Sequence, residues 1–272
     1  MASYNIIALL TCAINYLNSV NGSNPTLNDV LFSGVYEFID LTFPFDKNTI
    51  YWPNMDQFAF TKMNEAFRSD GSWYAANNFA AGEHGGTHID APYHFKVDGL
   101  RVGNIPLDKL IVPLIIVDIS SKVNDDPSFV LQKYHLDYML NDNWGKPCVI
   151  VFKFGWSKFF YDRNKYLGVQ PNGTFHFPGL SAEVAEWITS SHKNVVGIGV
   201  DTGSVDPGSS TDFPVHKIAS AAGLYNIENV KLDVPVPDRG CTALILPMKI
   251  ALGTGAPLRL VAICPKQTPT HF

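Results

Sequence analysis

The segment from residue 84 to residue 95, His-Gly-Gly-Thr-His-Ile-Asp-Ala-Pro-Tyr-His-Phe, constrains the fold of this 272-residue chain more than any other. It carries His84, His88, Asp90 and His94 within eleven residues. Imidazole and carboxylate groups that are buried together need hydrogen-bond partners or a metal ion, because burying them alone costs free energy. Histidine and aspartate are common ligands of Zn²⁺ and Mn²⁺. The segment therefore predicts a metal site.

The spacing of these residues differs from that of a helical zinc-protease site, in which two histidines lie one turn apart with a glutamate after the first. Gly85, Gly86 and Pro92 also oppose a helix. Side chains in an extended strand repeat with a period of two, and the four titratable residues are all an even number of positions apart. One extended segment would therefore present them to a single cavity, with Pro92 turning the chain before the last.

The same segment resembles the signature of the metal-dependent cyclase-like hydrolases, a family of the kynurenine formamidase and isatin hydrolase type. Every fixed position of the pattern His-x-Gly-Thr-His-x-Asp-x-Pro-x-His-Phe is filled. Weaker similarities extend over roughly residues 36–265 and lie at 40–42, 155–156, 179–181 and 197–202. The resemblance implies that His84, His88 and Asp90 bind a metal ion and that His94 is the catalytic acid and base.

In the two-metal members of this family, a further histidine and a glutamate twelve residues later complete the site, and His216 and Glu228 have that spacing here. Taken alone, a histidine near a helix start or a single glutamate is more often a surface or structural residue. Beside the upstream cluster, they could complete a site in which Asp90 bridges two ions. We therefore expect one or two ions of zinc or manganese.

The chemistry of such a site is hydrolysis. A divalent ion activates water, and His94 could accept a proton from that water and return it to a leaving nitrogen. We expect cleavage of a C–N amide bond in a small aromatic compound, with N-formylkynurenine-like arylformamides as the substrates that the resemblance implies. The alternatives are an isatin-type cyclic amide and a secreted protein of the same fold that binds a ligand or metal without catalysis. His94 favours the enzyme, because binding alone requires no proton shuttle.

Other residues near the motif have more than one interpretation. Thr87 could orient a ligand or be an ordinary strand residue. Near a predicted strand end lie two carboxylates, Asp201 and Asp206. We expect them to form hydrogen bonds within the loop and not to take part in catalysis. Related enzymes often have threonine before the glycine at 155, whereas this chain has Phe154, a difference that bears on the substrate pocket. Five aromatic residues could stack on a planar substrate or fill the core: Trp52, Trp73, Tyr74, Phe79 and Trp156.

The pattern of short apolar runs predicts the fold class. Strands are expected near 36–42, 57–63, 73–81, 111–118, 147–153, 194–200, 241–247 and 258–264. Helices are expected near 130–141, 156–166, 181–191 and 215–222. Strands outnumber helices and do not alternate with them strictly, which predicts an α/β fold with a mixed sheet or partly closed barrel and flanking helices. The resemblance implies the same class, a swivelling β/β/α fold.

Residues 1–22 differ in composition from the rest of the chain. The apolar run at 6–14 and the small residues before position 23 predict a secretory signal peptide, although a positively charged start is missing; the alternative is an N-terminal helix. Residues 23–272 would then form a single hydrolase domain, in which Asn172 begins the remaining glycosylation sequon. Cys148 is expected to be buried, whereas Cys241 and Cys264 could pair in an oxidising compartment.

The overall composition limits the partners. Hydrophobic residues make up 46% of the chain, enough for a large core, and the net charge of −5 gives no sign of nucleic-acid binding. The sequence has no uninterrupted apolar run of about eighteen residues, so no membrane-spanning segment is predicted. We expect a secreted glycoprotein with a small-molecule substrate and no nucleic-acid or membrane partner. The resemblance also implies a homodimer.

Overall fold

The computed structural model describes residues 25–139 and 146–266; the signal peptide expected at residues 1–22 lies outside them. The strands are β1 (Tyr36–Asp40), β2 (Ala59–Phe67), β3 (Trp73–Ala80), β4 (His88–Asp90), β5 (Ile111–Asp118), β6 (Val130–Leu131), β7 (Cys148–Lys153), β8 (Gly179–Leu180), β9 (Val195–Val200), β10 (Tyr225–Glu228), β11 (Cys241–Pro247) and β12 (Gly255–Pro265). The α-helices are α1 (Leu27–Leu31), α2 (Ser120–Val123), α3 (Arg163–Leu167), α4 (Ala182–Ser191) and α5 (Pro214–Ala221). Short 3₁₀ helices lie at Pro92–His94, Val102–Asn104, Leu107–Lys109, Lys133–Met139 and Ser157–Phe159.

Seven of these strands close into a barrel. Their order is β12-β11-β5-β7-β9-β10-β4, and β4 pairs with β12 to complete the ring. The four strands β5, β7, β9 and β10 are parallel, and the other pairs are antiparallel. The predicted α/β class with a mixed sheet is therefore confirmed. The ring closes completely, which leaves no free edge among its strands.

The parallel strands form the most buried part of the barrel. Strands β7 and β9 are apolar along nearly their whole length, as expected when both faces of a parallel strand are covered. Position 197 in β9 has to be glycine for a steric reason, because a Cβ atom there would lie 2.0 Å from the ring of Tyr225. Ser181 caps helix α4 by accepting a hydrogen bond from the backbone N–H of Val184, and the apolar face of the helix joins the core.

The short strand β4 closes the barrel and sets the register of the His84–Phe95 motif against two neighbours. In the β10 pairing, His88 lies opposite Glu228 and Asp90 lies opposite Asn226. In the β12 pairing, Asp90 lies opposite Gly255. Residues that lie opposite each other in antiparallel strands share a face. The register therefore places Glu228 beside His88, although 140 residues separate them in the sequence.

Most of the predicted elements are present, with shifts at their ends. The helices predicted near 181–191 and 215–222 are α4 and α5, and the eight predicted strands all exist. The helix predicted over 130–141 is wrong, because residues 130–131 form β6, which pairs with β8, and a 3₁₀ helix follows. The helix predicted over 156–166 is a 3₁₀ turn followed by α3. Strand β10 was not predicted, because its four residues carry no alternating pattern of their own.

The described chain divides into two compact units. The larger spans residues 39–263 and contains all the candidate site residues. In the smaller, which includes the described residues up to Phe38 and from Cys264 onward, Thr26 caps α1 by accepting a hydrogen bond from the N–H of Asp29. The N–H of Lys266 donates to the carbonyl oxygen of Val35 within that unit. Within residues 25–139 and 146–266, no helix has the length and apolar character needed to cross a membrane.

The hairpin of β2 and β3 is unusually exposed. In the described part of the chain these two strands pair only with each other, and all but one of their residues are exposed. Its large apolar side chains are between 39% and 74% exposed: Phe60, Met63, Phe67, Trp73, Tyr74 and Phe79. A two-stranded hairpin with so little burial is marginal in stability without a further packing partner.

Candidate metal centre

The backbone of the motif bends on both sides of β4. Only residues 88–90 form the strand, so the extended conformation predicted to reach back to His84 is wrong, whereas the predicted turn at Pro92 is present and all four side chains line one cavity as predicted. Gly86 has a φ of +56°, in the left-handed region that glycine tolerates, and it turns the chain before β4. Pro92 begins the 3₁₀ turn that ends at His94. Because of these two bends, the side chains of His84, His88, Asp90 and His94 all reach the same cavity.

The carboxylate of Asp90 lies at the centre of the cluster and is 2% exposed. Its Oδ1 atom is 2.6 Å from Nδ1 of His84 and 3.2 Å from Nε2 of His88. One ligand atom from each of these three residues lies within 4.8 Å of the others, a separation that one metal ion can bridge. Three protein ligands leave a position open for water or substrate, as catalytic sites require.

His216 contacts the other oxygen of the same carboxylate, and Glu228 contacts His216. Nε2 of His216 is 3.3 Å from Oδ2 of Asp90 and 3.1 Å from Oε1 of Glu228. His88 links the two halves, because its Nε2 is 3.6 Å from Oε2 of Glu228. The structure therefore brings all five predicted ligand residues into one buried cluster. Their roles as ligands stay a prediction.

The charges in the cluster suit a divalent cation. Oδ2 of Asp90 is buried and has no hydrogen-bond partner among the described residues, a costly arrangement for a carboxylate oxygen. Burial alone would raise the pKa of Asp90, but the positive charge of His88 and the close ring nitrogens of His216 and His84 hold it well below its usual value. Burial opposes the charge on His88, yet Asp90 and Glu228 raise its pKa to about 9. The site thus attracts positive charge, and a divalent ion would satisfy the free oxygen.

Two of the histidines are oriented by groups behind them. His88 donates from Nδ1 to the carbonyl oxygen of Gly86 at 3.0 Å. His216 donates from Nδ1 to Oδ2 of Asp206 at 2.6 Å, and Asp206 also accepts hydrogen bonds from the backbone N–H groups of Val215 and His216. Both contacts fix the ring so that Nε2 points into the cluster. The hydrogen-bonding role predicted for Asp206 is present, but its contact with a candidate ligand was not predicted.

His94 lies beside the cluster and is partly buried. Its ring stacks on that of His84, with 4.0 Å between centroids and 24° between planes. Burial lowers the pKa of His94 to about 4, and the neighbouring histidines add to this effect although Asp90 opposes it. The imidazole is therefore uncharged at neutral pH. His94 also forms, with Asp90 and His216, a second set of groups whose ligand atoms lie within 4.8 Å of one another, so its position fits a proton shuttle or a ligand.

A cavity of about 210 Å³ opens onto these side chains. Its walls are mainly apolar and include Trp52, Met55, Phe95, Leu167 and Phe213. Tyr51 also lines it, with a buried hydroxyl group that has no hydrogen-bond partner among the described residues. Burial raises the pKa of Tyr51 to about 12, so this hydroxyl remains a donor. The ring of Tyr51 lies where a side chain at Gly85 would be, because a Cβ atom there would lie 2.0 Å from Cε1 of the ring.

Of the aromatic residues suggested as substrate contacts, only Trp52 lines this cavity. Trp156 is buried in the core, as is Phe154, so the difference from related enzymes at position 154 affects core packing. The remaining three lie on the exposed hairpin: Trp73, Tyr74 and Phe79. Thr87 contacts no candidate ligand side chain through its hydroxyl, which donates to the carbonyl oxygen of Asn229 and accepts from the N–H of Phe43.

Comparison with known proteins agrees with this site. The Cyclase family model, described as Putative cyclase, matches residues 39–207. The chain is similar to isatin hydrolase of Roseibium aggregatum, with 29% identity over 255 residues that cover 87% of this chain and 95% of that protein. It is also similar to kynurenine formamidase of Bacillus cereus, with 28% identity over 225 residues that cover 83% and 96% of the two chains.

Solved structures show the same relationship. Isatin hydrolase A from Ralstonia solanacearum superimposes with a TM-score of 0.78 at 27% identity, covering 89% of this chain and 98% of that one. An isatin hydrolase bound to the product analogue thioisatinate gives a TM-score of 0.77 at 26% identity, covering 88% and 97%. The family model spans more than half of the sequence, including the whole segment from His84 to His94. The chain therefore belongs to the Cyclase family and is a metal-dependent hydrolase.

Proposed function

We propose that this hydrolase cleaves the C–N bond of a small aromatic amide, with a divalent ion held by the cluster around Asp90. One observation carries the proposal: a buried carboxylate lies between two sets of histidines, beside an uncharged imidazole, on the wall of a small apolar cavity. Binding alone would explain the ligand cluster. It would not require a further imidazole, that of His94, stacked on His84 beside the cluster.

The residues of the site would divide the chemistry between them. When bound, the ion lowers the pKa of water towards about 7 and polarises a carbonyl oxygen. His94 is uncharged at neutral pH, because its pKa is lowered to about 4, and can accept a proton from attacking water. The same ring can return that proton to the leaving nitrogen. The apolar walls exclude bulk water and hold the ring of the substrate.

N-formylkynurenine-like arylformamides are the lead substrates. A kynurenine formamidase aligns with 83% of this chain, and the aromatic side chains of Trp52, Phe95 and Phe213 line the cavity. A planar aryl group could pack against these rings, because offset and edge-to-face contacts between aromatic groups are favourable. The formamide carbonyl would then face Asp90 and the histidines.

An isatin-type cyclic amide is the second candidate, and structural similarity favours it. Both isatin hydrolases compared above superimpose over at least 97% of their own chains. Hydrolysis of a lactam needs the same nucleophile and the same proton transfer as hydrolysis of a formamide. The two candidates differ in the shape of the leaving group, which remains attached to the product in the cyclic case.

We propose zinc or manganese as the ion, with one or two ions per chain. Imidazole and carboxylate ligands suit both metals. His84, His88 and Asp90 would hold the first ion. Asp90, His216 and Glu228 would hold the second, since Nε2 of His216 lies within 3.3 Å of an oxygen atom of each carboxylate.

A comparison of substrates tests the proposed function. The purified protein is loaded with Zn²⁺ or Mn²⁺ and assayed with N-formylkynurenine, isatin and phenyl acetate. We expect metal-dependent hydrolysis, fastest with the arylformamide. Faster hydrolysis of isatin would support the second candidate. Bound metal without hydrolysis of either amide would contradict the proposal and favour the binding protein.

We also propose that the protein is secreted and glycosylated. Cys241 and Cys264 are both disulfide-bonded, a state that persists in oxidising compartments, whereas Cys148 is a buried free thiol. Asn172 is exposed, and its Oδ1 accepts a hydrogen bond from the hydroxyl of Thr174 at 2.7 Å. Expression in a eukaryotic host should give secreted protein that begins near Ser23 and carries a glycan that Asn172→Gln removes. Retention in the cell would contradict this.

A second copy of the chain is the partner we propose for the exposed hairpin of β2 and β3. Its six large apolar side chains are between 39% and 74% exposed. Covering them would bury roughly 600 Å² on each copy, if a fully buried aromatic side chain contributes about 150–250 Å². A standard protein interface buries about 800 Å² on each side, so the hairpin could supply most of a homodimer contact.

A further inference from the structure

A pair of polar residues lies behind His84, on the side away from Asp90. Nε2 of His84 is 2.8 Å from the hydroxyl oxygen of Thr254. That hydroxyl is 2.6 Å from Oε2 of Glu83, which also accepts a hydrogen bond from the backbone N–H of Thr254 at 2.9 Å. Thr254 precedes β12, so the pair joins the chain before β4 to the chain before β12.

The directions of these hydrogen bonds follow from the groups involved. A carboxylate can only accept, so the single hydroxyl proton of Thr254 is donated to Glu83. The hydroxyl oxygen must then accept from His84, which places a proton on Nε2 of that ring. In a neutral imidazole, Nδ1 therefore has the lone pair. Nδ1 lies 2.6 Å from Oδ1 of Asp90, so either a proton or a metal ion must lie between these two atoms, because two lone pairs would otherwise repel each other.

We propose that Glu83 and Thr254 are positioning residues that select Nδ1 of His84 as the atom that binds the metal ion. This inference rests on the metal site of the proposed function. His84 differs in this respect from His88 and His216, whose Nδ1 atoms donate to Gly86 and Asp206 and whose Nε2 atoms face the cluster. In His84 the ring nitrogen nearer to Cβ, Nδ1, is thus selected as the ligand atom by the pair Glu83 and Thr254 and not by the motif itself.

The packing around His84 supports the same orientation. A Cβ atom at Gly255 would lie 2.5 Å from Cε1 and 2.9 Å from Nδ1 of His84, so the ring occupies the space that a side chain there would fill. The ring of His94 stacks against His84 with 4.0 Å between centroids. These contacts hold the plane of the ring. The hydrogen bond to Thr254 then decides which nitrogen carries the proton.

Four variants test the proposal: Thr254→Val, Thr254→Ser, Glu83→Ala, and Thr254→Val combined with Glu83→Ala. The Kd for Zn²⁺ is measured by competition with a chelator. We expect Thr254→Val to weaken binding about 10–100-fold, as loss of a group that orients a metal ligand usually does. Thr254→Ser keeps the hydroxyl and should bind like the unchanged protein. If Glu83 acts through Thr254, the double variant should be no weaker than Thr254→Val.

Thr42→Val is the matched control, because the hydroxyl of Thr42, among residues 25–139 and 146–266, bonds only to the backbone of Leu260. We expect it to lower stability and to leave the Kd for Zn²⁺ unchanged. A second measurement reads the tautomer directly. Long-range ¹H–¹⁵N spectra of the Zn²⁺-loaded protein should show the proton of His84 on Nε2, with assignment from a His84→Gln sample.

The outcomes separate this inference from the proposed function. If the unchanged protein binds no divalent ion, the metal site itself fails. If it binds Zn²⁺ and Thr254→Val binds equally well, the positioning role is overturned while the site remains. A spectrum that places the proton of His84 on Nδ1 would also overturn it.

Discussion

Each histidine of the cluster is held by a different kind of group. His88 uses a backbone carbonyl two residues away, whereas His216 uses Asp206, ten residues earlier in the sequence. His84 uses Thr254, which is 170 residues away. The sequence motif predicts which side chains meet, because all the motif residues lie within one short segment. It does not predict the groups that orient His216 and His84, because Asp206 and Thr254 lie outside the motif.

Tyr51 leads to a prediction about the substrate. Its buried hydroxyl lines the cavity and has no hydrogen-bond partner in the described part of the chain, so we expect it to donate to the substrate. Tyr51→Phe keeps the ring against Gly85. It should leave the free energy of unfolding unchanged or slightly higher and lower kcat/KM about tenfold, the effect of one hydrogen bond of about 1.4 kcal/mol.

Urea unfolding and steady-state kinetics measure the two effects separately. A loss of stability of more than about 1 kcal/mol would mean that the hydroxyl has a structural role, since a typical intramolecular hydrogen bond contributes about that much. Unchanged kcat/KM would remove Tyr51 from the substrate contacts.

The elements that the sequence predicts well are those with strong local patterns. Strands β5, β7 and β9 are apolar runs, and α4 has a capping serine followed by a buried apolar face. Strand β10 has only four residues, and two of its buried side chains, Asn226 and Glu228, are polar. No local pattern indicates such a strand. It exists because β9 and β4 pair with it on either side.

Asp201 connects the ends of two parallel strands and leads to a prediction about stability. It follows β9 and is fully buried, and its Oδ1 accepts a hydrogen bond from the N–H of Phe154 after β7 at 2.7 Å. Its Oδ2 accepts from the N–H groups of Trp156 and Ser157 at 2.8 Å and 3.3 Å. Loop hydrogen bonding, the role predicted for Asp201, is thus present.

Asp201→Asn should destabilise the fold by about 2–4 kcal/mol, because an amide NH₂ replaces one acceptor and leaves buried N–H donors unpaired. Chemical denaturation measures the change. Asp162→Asn is the matched control, since Asp162 caps α3 at an exposed position and asparagine caps helices equally well. Equal stability of the two variants would show that the contacts of Asp201 contribute little.

At the scale of the whole molecule, closure of the barrel assembles the site. Strand β4 is only three residues long, yet it pairs with β10 on one side and β12 on the other. His88 and Asp90 on β4 thereby meet Glu228 on β10. The sequence predicts the α/β class and the mixed sheet from its short strands. It does not predict complete closure, because closure depends on pairings between segments more than 130 residues apart.

The proposed homodimer gives a prediction about mass in solution. Phe60 and Phe79 lie opposite each other on the exposed hairpin. We expect sedimentation velocity to give twice the mass of one chain, and the double variant Phe60→Ser, Phe79→Ser to sediment as a monomer. Val97→Ser, at a site that is 87% exposed and outside the hairpin, should leave the dimer intact. A monomeric unchanged protein, or a dimer that tolerates the double variant, would contradict the proposal.

The most direct test of the central claim is a paired measurement of metal content and turnover in His94→Ala and His88→Ala. If His88 is a ligand and His94 is the proton shuttle, His88→Ala should lose the metal ion. His94→Ala should keep the ion and lose about 10²–10⁴-fold in kcat, the usual contribution of general acid–base catalysis. If His94→Ala loses its metal as fully as His88→Ala, or keeps full turnover, the division of roles in this site is contradicted.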